Sequence, residues 1–149
     1  LSAWEAEDLV NLDIQTDIQG YDIDEHMVEI ARDNARRAGV EKLIHFQRRD
    51  VARLSHPKKY GFLIMNPPYG ERIHEKEELP ALYRTIGERF ALLDTWSMYL
   101  ISAYEHAQQY IGRKADKNRK IYNGMMKTYY YQFLGPKPPR PKAQRESKR

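Results

Sequence analysis

The chain has 149 residues, no cysteine and a net charge of +4. That length suits one compact core, or part of one, rather than two independent domains, and the lack of cysteine excludes a disulfide framework and a thiolate zinc site. The longest apolar runs, Phe62–Met65 and Met98–Ile101, are strand-sized, the start has no cationic, apolar signal pattern, and the five histidines show no His-x-x-x-His pairing, so a soluble cytoplasmic protein without membrane or metal partners is expected.

The basic bias is local. From Gly135 to Arg149 there are six Lys/Arg against one Glu, whereas the remainder carries 19 basic and 20 acidic residues. A second cluster, "GRKADKNRK" at 112–120, has five basic residues and one acid; it suits either a polyanion contact or a solvated turn.

In chain order, "WEAEDLV" at 4–10 reads as the end of a helix already under way. A strand at 17–22, "DIQGYD", leads into a helix whose Met27, Ile30, Ala31, Asn34/Ala35 and Ala38 recur at helical spacing. Asp24 stands where an N-cap belongs, Arg36 and Arg37 complement the dipole in the last turn, and Gly39 can take the left-handed conformation that stops the helix. "LIHFQRRD" at 43–50 is a strand with Ile44 and Phe46 alternating, and "YGFLIM" at 60–65 is a continuous apolar run of the kind that a strand covered on both faces shows. Leu79, Leu82, Tyr83, Ile86, Phe90 and Leu93 mark an amphipathic helix with a polar, acidic start, and "TWSMYLIS" at 95–102 is a further buried strand. Ser102 and Glu105 have capping-box spacing for another helix. "KIYNGMMKTYYYQF" then places Asn123-Gly124 between two β-prone runs, as in a tight hairpin. Trp96, Met98, Tyr99 and Tyr129–Tyr131 read as core and strand-face residues. The proline-rich, charged stretch 136–149 reads as a disordered basic tail.

Strands and helices that alternate until a terminal antiparallel hairpin predict a doubly wound, mostly parallel α/β sheet over residues 1–135. Ligands of such sheets sit beyond the carboxyl ends of the strands, where Asp22, Asp50 and Asn66 fall. "NPPY" at 66–69 suits one particular task there. An aromatic exocyclic amine is a poor nucleophile because its lone pair is delocalised into the ring. Two acceptors, the Asn66 side chain and an adjacent backbone carbonyl, would hold its N–H bonds and aim the lone pair at an electrophilic carbon. Proline has no N–H to compete and a restricted φ, so Pro67 would present its carbonyl rigidly, and Tyr69 would stack on a flipped base. The plainer alternative is an Asn-Pro turn with Tyr69 packed on the core.

Taken together, "GYDIDEHMVEIARDNARRAGV", the strand-end Asp50, "NPPYGER" and "KIYNGMMKTYYYQF" resemble the catalytic half of the bacterial ribosomal RNA guanine-N2 methyltransferases. In that family an RNA-binding THUMP region precedes a class I S-adenosylmethionine domain with a Rossmann-like sheet. The asparagine-proline motif is shared with adenine-amine and glutamine-amide methyltransferases; the hairpin sequence favours guanine. The resemblance implies that Asp22 bonds the cofactor ribose, that Asp50 accepts from the cofactor adenine, and that Asn66 borders the cofactor. It further implies that Asn66 and Pro67 orient the amine, that Tyr69 stacks on the guanine, and that Arg72 contacts a phosphate or makes a surface ion pair. Arg113, Lys114, Lys117, Arg119 and Lys120 would hold phosphates of large-subunit ribosomal RNA without choosing its sequence.

The family pattern also requires a first strand followed by a glycine-rich loop. Before Gly39 the only glycine is Gly20, so the chain is read either as a piece of a longer protein or as an enzyme that has lost its cofactor loop. The first strand of this fold lies centrally, and its removal leaves two half-sheets with unpaired edges. Isolated, such a chain is expected to be poorly stable and inactive. Competing readings are a DNA adenine or glutamine-amide methyltransferase, a non-catalytic RNA-binding remnant, and a nicotinamide enzyme with Asp22 on the ribose, for which "NPPY" has no use.

Overall fold

The computed structural model describes residues 2–70 and 75–141, the side chain of Asn123 excepted. Arg72, His74 and the end of the basic tail lie outside the described residues. The element order is α1 (Ala3–Asp8), β1 (Ile18–Asp22), α2 (Glu25–Arg37), β2 (Ile44–Arg48), β3 (Phe62–Met65), α3 (Glu75–Leu92), β4 (Ser97–Ser102), α4 (Ala107–Ile111), β5 (Lys117–Asn123) and β6 (Met126–Phe133). The chain divides into two compact units, residues 1–53 and 54–149. Their sheets are separate, a parallel pair β1-β2 and a four-stranded sheet of order β3-β4-β6-β5. Among the described residues β1 pairs with β2 alone and β3 with β4 alone.

In the first unit, α2 crosses from β1 to its parallel neighbour β2, with Ile18 beside Ile44 and Asp22 beside Arg48. The Asp24 carboxylate accepts from the His26 N–H at 2.9 Å and caps α2 as predicted, a bond of about 1 kcal/mol. Gly39 ends the helix at φ +72°. The buried stripe differs from the expected one. Val28, Ala31 and Ala35 turn inward, whereas Met27 and Ile30 are exposed, because a two-stranded sheet is wide enough to cover only the narrow Val/Ala face of the helix. Gly20 is a sheet residue: a Cβ there would lie 2.7 Å from the ring of Phe46, its cross-strand partner. The stretch at 4–10 falls largely in α1, where Ser2 and Glu5 form a capping box.

In the second unit, β6 runs antiparallel between β4 and β5. Leu79, Tyr83, Ile86 and Phe90 of α3 are buried against the face that carries Met98, Leu100, Tyr131 and Phe133, with the rings of Phe90 and Phe133 edge to face at 6.2 Å. Each such side chain contributes about 1.5–3 kcal/mol through burial. The opposite face of β3 is open. Phe62 and Ile64 are 71% and 78% exposed, contrary to the doubly covered strand that the apolar run predicts, because no element among the described residues lies over them.

Ser102 does not cap a helix. It ends β4, and α4 starts only at Ala107, with His106 at its N-cap and no side-chain capping bond. The Ser102 hydroxyl is engaged with Tyr83 of α3 instead. The hairpin is shifted by one residue from the expected turn. Asn123 pairs with Met126, so the two-residue loop is Gly124-Met125, with Gly124 at φ +64° as a primed turn requires. Residues 136–141 have no regular secondary structure. No helix among the described residues is long and apolar enough to cross a membrane.

Candidate functional site

In the first unit the acidic candidates gather at one end of the sheet. Asp22 closes β1, Asp50 follows β2, and the Arg49 N–H donates to the Asp22 carbonyl at 2.9 Å. The Asp22 Oδ1 accepts from the Asp24 N–H at 2.9 Å, and the Asp50 Oδ1 accepts from the Ala52 N–H at 2.8 Å. Both carboxylates are exposed, and among the described residues the second oxygen of each has no protein donor. Each is therefore aimed by a backbone bond and still has an acceptor to offer, a pair of acceptors that fits the hydroxyls and amine of a nucleoside.

In the second unit Asn66 directly follows the carboxyl end of β3, and the loop runs through Pro67, Pro68 and Tyr69 to Gly70 at φ +85°. Asn66 is exposed, and its side-chain amide makes no hydrogen bond among the described residues. Tyr69 is half-buried. The loop is fastened from below by a residue that the sequence shows only as part of a helix core. The Tyr83 hydroxyl donates to the Pro68 carbonyl at 3.1 Å and lies 2.5 Å from the Ser102 Oγ, which accepts from the Tyr104 N–H at 3.0 Å. Burial pushes the Tyr83 hydroxyl up to about 12, so it remains a donor at physiological pH. The signal available in the sequence is a tyrosine at a core position of an amphipathic helix, since a buried phenol needs a polar partner.

The basic candidates are not brought together. Arg113 donates to Asp116 at 3.0 Å and to the Leu134 carbonyl at 2.9 Å, and its guanidinium lies over the Phe90 ring. The Leu134 N–H, with the Arg113 charge beside it, holds the Asp116 carboxyl below the usual carboxylate range. Arg113 thus ties a turn at the amino end of β4, opposite the end that Asn66 follows, and its expected phosphate role is not supported by this placement. Lys114 is exposed beside it. Lys117 and Arg119 alternate with Lys120 along β5 and so point to opposite faces. Through the β6 register Lys120 is level with Ser102, three strands from β3, roughly 14 Å across the sheet.

The RMKL-like methyltransferase domain model matches residues 2–132. The chain belongs to this methyltransferase family. It is 42% identical over 129 residues to YpsC of Bacillus subtilis, named as a candidate RNA methyltransferase, covering 87% of this chain and 34% of YpsC. It is 39% identical over 123 residues to the ribosomal RNA large subunit methyltransferase K/L of Photobacterium profundum, covering 78% of this chain and 17% of that protein. The crystal structure of SMU.472, a candidate methyltransferase complexed with S-adenosylhomocysteine, superimposes with a TM-score of 0.84 at 44% identity, covering 91% of this chain and 36% of that one. The chain therefore spans about a third of the length of YpsC and of SMU.472. The expected α/β methyltransferase fold and family are both borne out.

Proposed function

We propose that this methyltransferase domain serves an enzyme that methylates the 2-amino group of a guanine in large-subunit ribosomal RNA, with S-adenosylmethionine as cofactor. The observation that carries the reading is the Asn66–Tyr69 loop at the carboxyl end of β3, with an exposed, unengaged amide on a fastened backbone. When bound, the cofactor supplies an electrophilic methyl group on a sulfonium. Asp22 and Asp50 hold its ribose and adenine. The Asn66 side chain and the Pro67 carbonyl accept the two N–H bonds of the target amine and keep its lone pair free of the ring. A neutral amide suits this because positive charge develops on the amine. Tyr69 stacks on the flipped base, and the exposed Lys117, Arg119 and Lys120 contact phosphates. On this reading an upstream half with an RNA-binding THUMP region completes the enzyme; the chain covers 34% of YpsC and 17% of the K/L protein, which leaves room for one.

A tritium-transfer assay with the complete polypeptide tests the substrate class. Label is expected in ribosomal RNA; label in DNA or in a release-factor glutamine would replace this reading by the corresponding amine or amide methyltransferase. The isolated 149-residue chain, with β1 and β3 unpaired on one edge, is expected to bind S-adenosylmethionine weakly, and tight calorimetric binding would contradict that.

A further inference from the structure

We propose that Tyr83 is a positioning residue for the amine-binding loop, acting through the Pro68 carbonyl; this rests on the methyl-transfer reading above. A carbonyl cannot donate, so the single Tyr83 proton goes to Pro68. Ser102 must then donate to Tyr83, and the Tyr104 N–H to Ser102. The result is a one-directional chain from the end of β4, through α3, into the loop. Such chains strengthen one another, and a buried member without its partner is costly.

The loop transmits this anchor. Both Pro67 and Pro68 have φ fixed by their rings, and the intervening peptide is planar. Between the Pro68 carbonyl and the Pro67 carbonyl the one soft torsion is ψ of Pro68. Fixing the Pro68 carbonyl therefore leaves the acceptor assigned to Pro67 a single rotational freedom. The Tyr69 N–H shares the peptide plane of the Pro68 carbonyl, so the same bond sets the direction from which the Tyr69 ring leaves the backbone. Tyr83 is fully buried and touches no solvent, so it acts through the loop and not on the base.

The chain contains a single Pro–Tyr step, at 68–69. Labelling the complete polypeptide with carbonyl-¹³C proline and ¹⁵N tyrosine restricts the spectrum to Pro–Tyr steps, and the cross-peak lost in Tyr69→Phe is the one that reports the Pro68 carbonyl. Tyr83→Phe is expected to displace this peak and, in the complete polypeptide with ribosomal RNA, to lower kcat roughly tenfold to a hundredfold with the KM for S-adenosylmethionine unchanged. Ser102→Ala keeps the Tyr83 donor but loses the group that aims it, and is expected to show a smaller displacement and a smaller loss. An unmoved peak, or wild-type kcat in Tyr83→Phe, would overturn the proposal. Should Tyr83→Phe fail to fold, Ser102→Ala decides by the same two readouts. A wild-type enzyme that transfers no methyl overturns the proposed function and the kinetic consequence, while the cross-peak still decides whether Tyr83 holds the loop.

Discussion

Replacing Gly87 by alanine is expected to destabilise the second unit by about 2 kcal/mol. On helix propensity alone the sign would be the reverse, because alanine is favoured over glycine in a helix interior by about 1 kcal/mol. Packing decides the outcome. A Cβ at Gly87 would lie 2.1 Å from the Ile111 carbonyl oxygen and 2.9 Å from the Ile111 Cα. These are backbone atoms, so no rotamer change relieves the clash, and α4 must move away from α3. Overpacking of this kind costs about 3 kcal/mol at the upper end of its usual range, which leaves the net loss given. Ala107 and Ile111, both buried, would move with α4. Urea denaturation of the complete polypeptide checks this; an unchanged or raised midpoint would mean that the two helices are not held at this distance.

Asn66→Ala is expected to reduce kcat for methyl transfer roughly 10²- to 10³-fold, the loss typical of removing one polar group that stabilises developing charge. The exposed amide makes no hydrogen bond among the described residues, so its removal leaves no buried partner unsatisfied and the fold should be unaffected. KM should change little if the amide acts mainly as the reaction proceeds. Steady-state kinetics with unchanged thermal unfolding would support the assignment, and full turnover would refute it.

What is legible in the sequence depends on the range of the interaction. The Asp24 cap and the Gly39 stop are decided within a few residues, and both stand at the predicted positions. Phe62 and Ile64 mislead because an apolar run reports affinity for a cover and not the presence of one. Ser102 has the spacing of a cap, but its hydroxyl is claimed by Tyr83, 19 residues away in sequence. Arg113 looks like one charge among five, yet Asp116 and the end of β6 occupy it. Asn66 and the two prolines are readable because the motif and the strand before it are contiguous; the tyrosine that fastens them lies on another element, and its one local signal, a phenol at a core position of a helix, does not name its partner.

The most direct measurement of the central claim is to digest ribosomal RNA methylated by the complete polypeptide with labelled S-adenosylmethionine and to identify the labelled nucleoside by mass spectrometry. The account predicts N2-methylguanosine. Label in N6-methyladenosine, or none in the RNA at all, would contradict it.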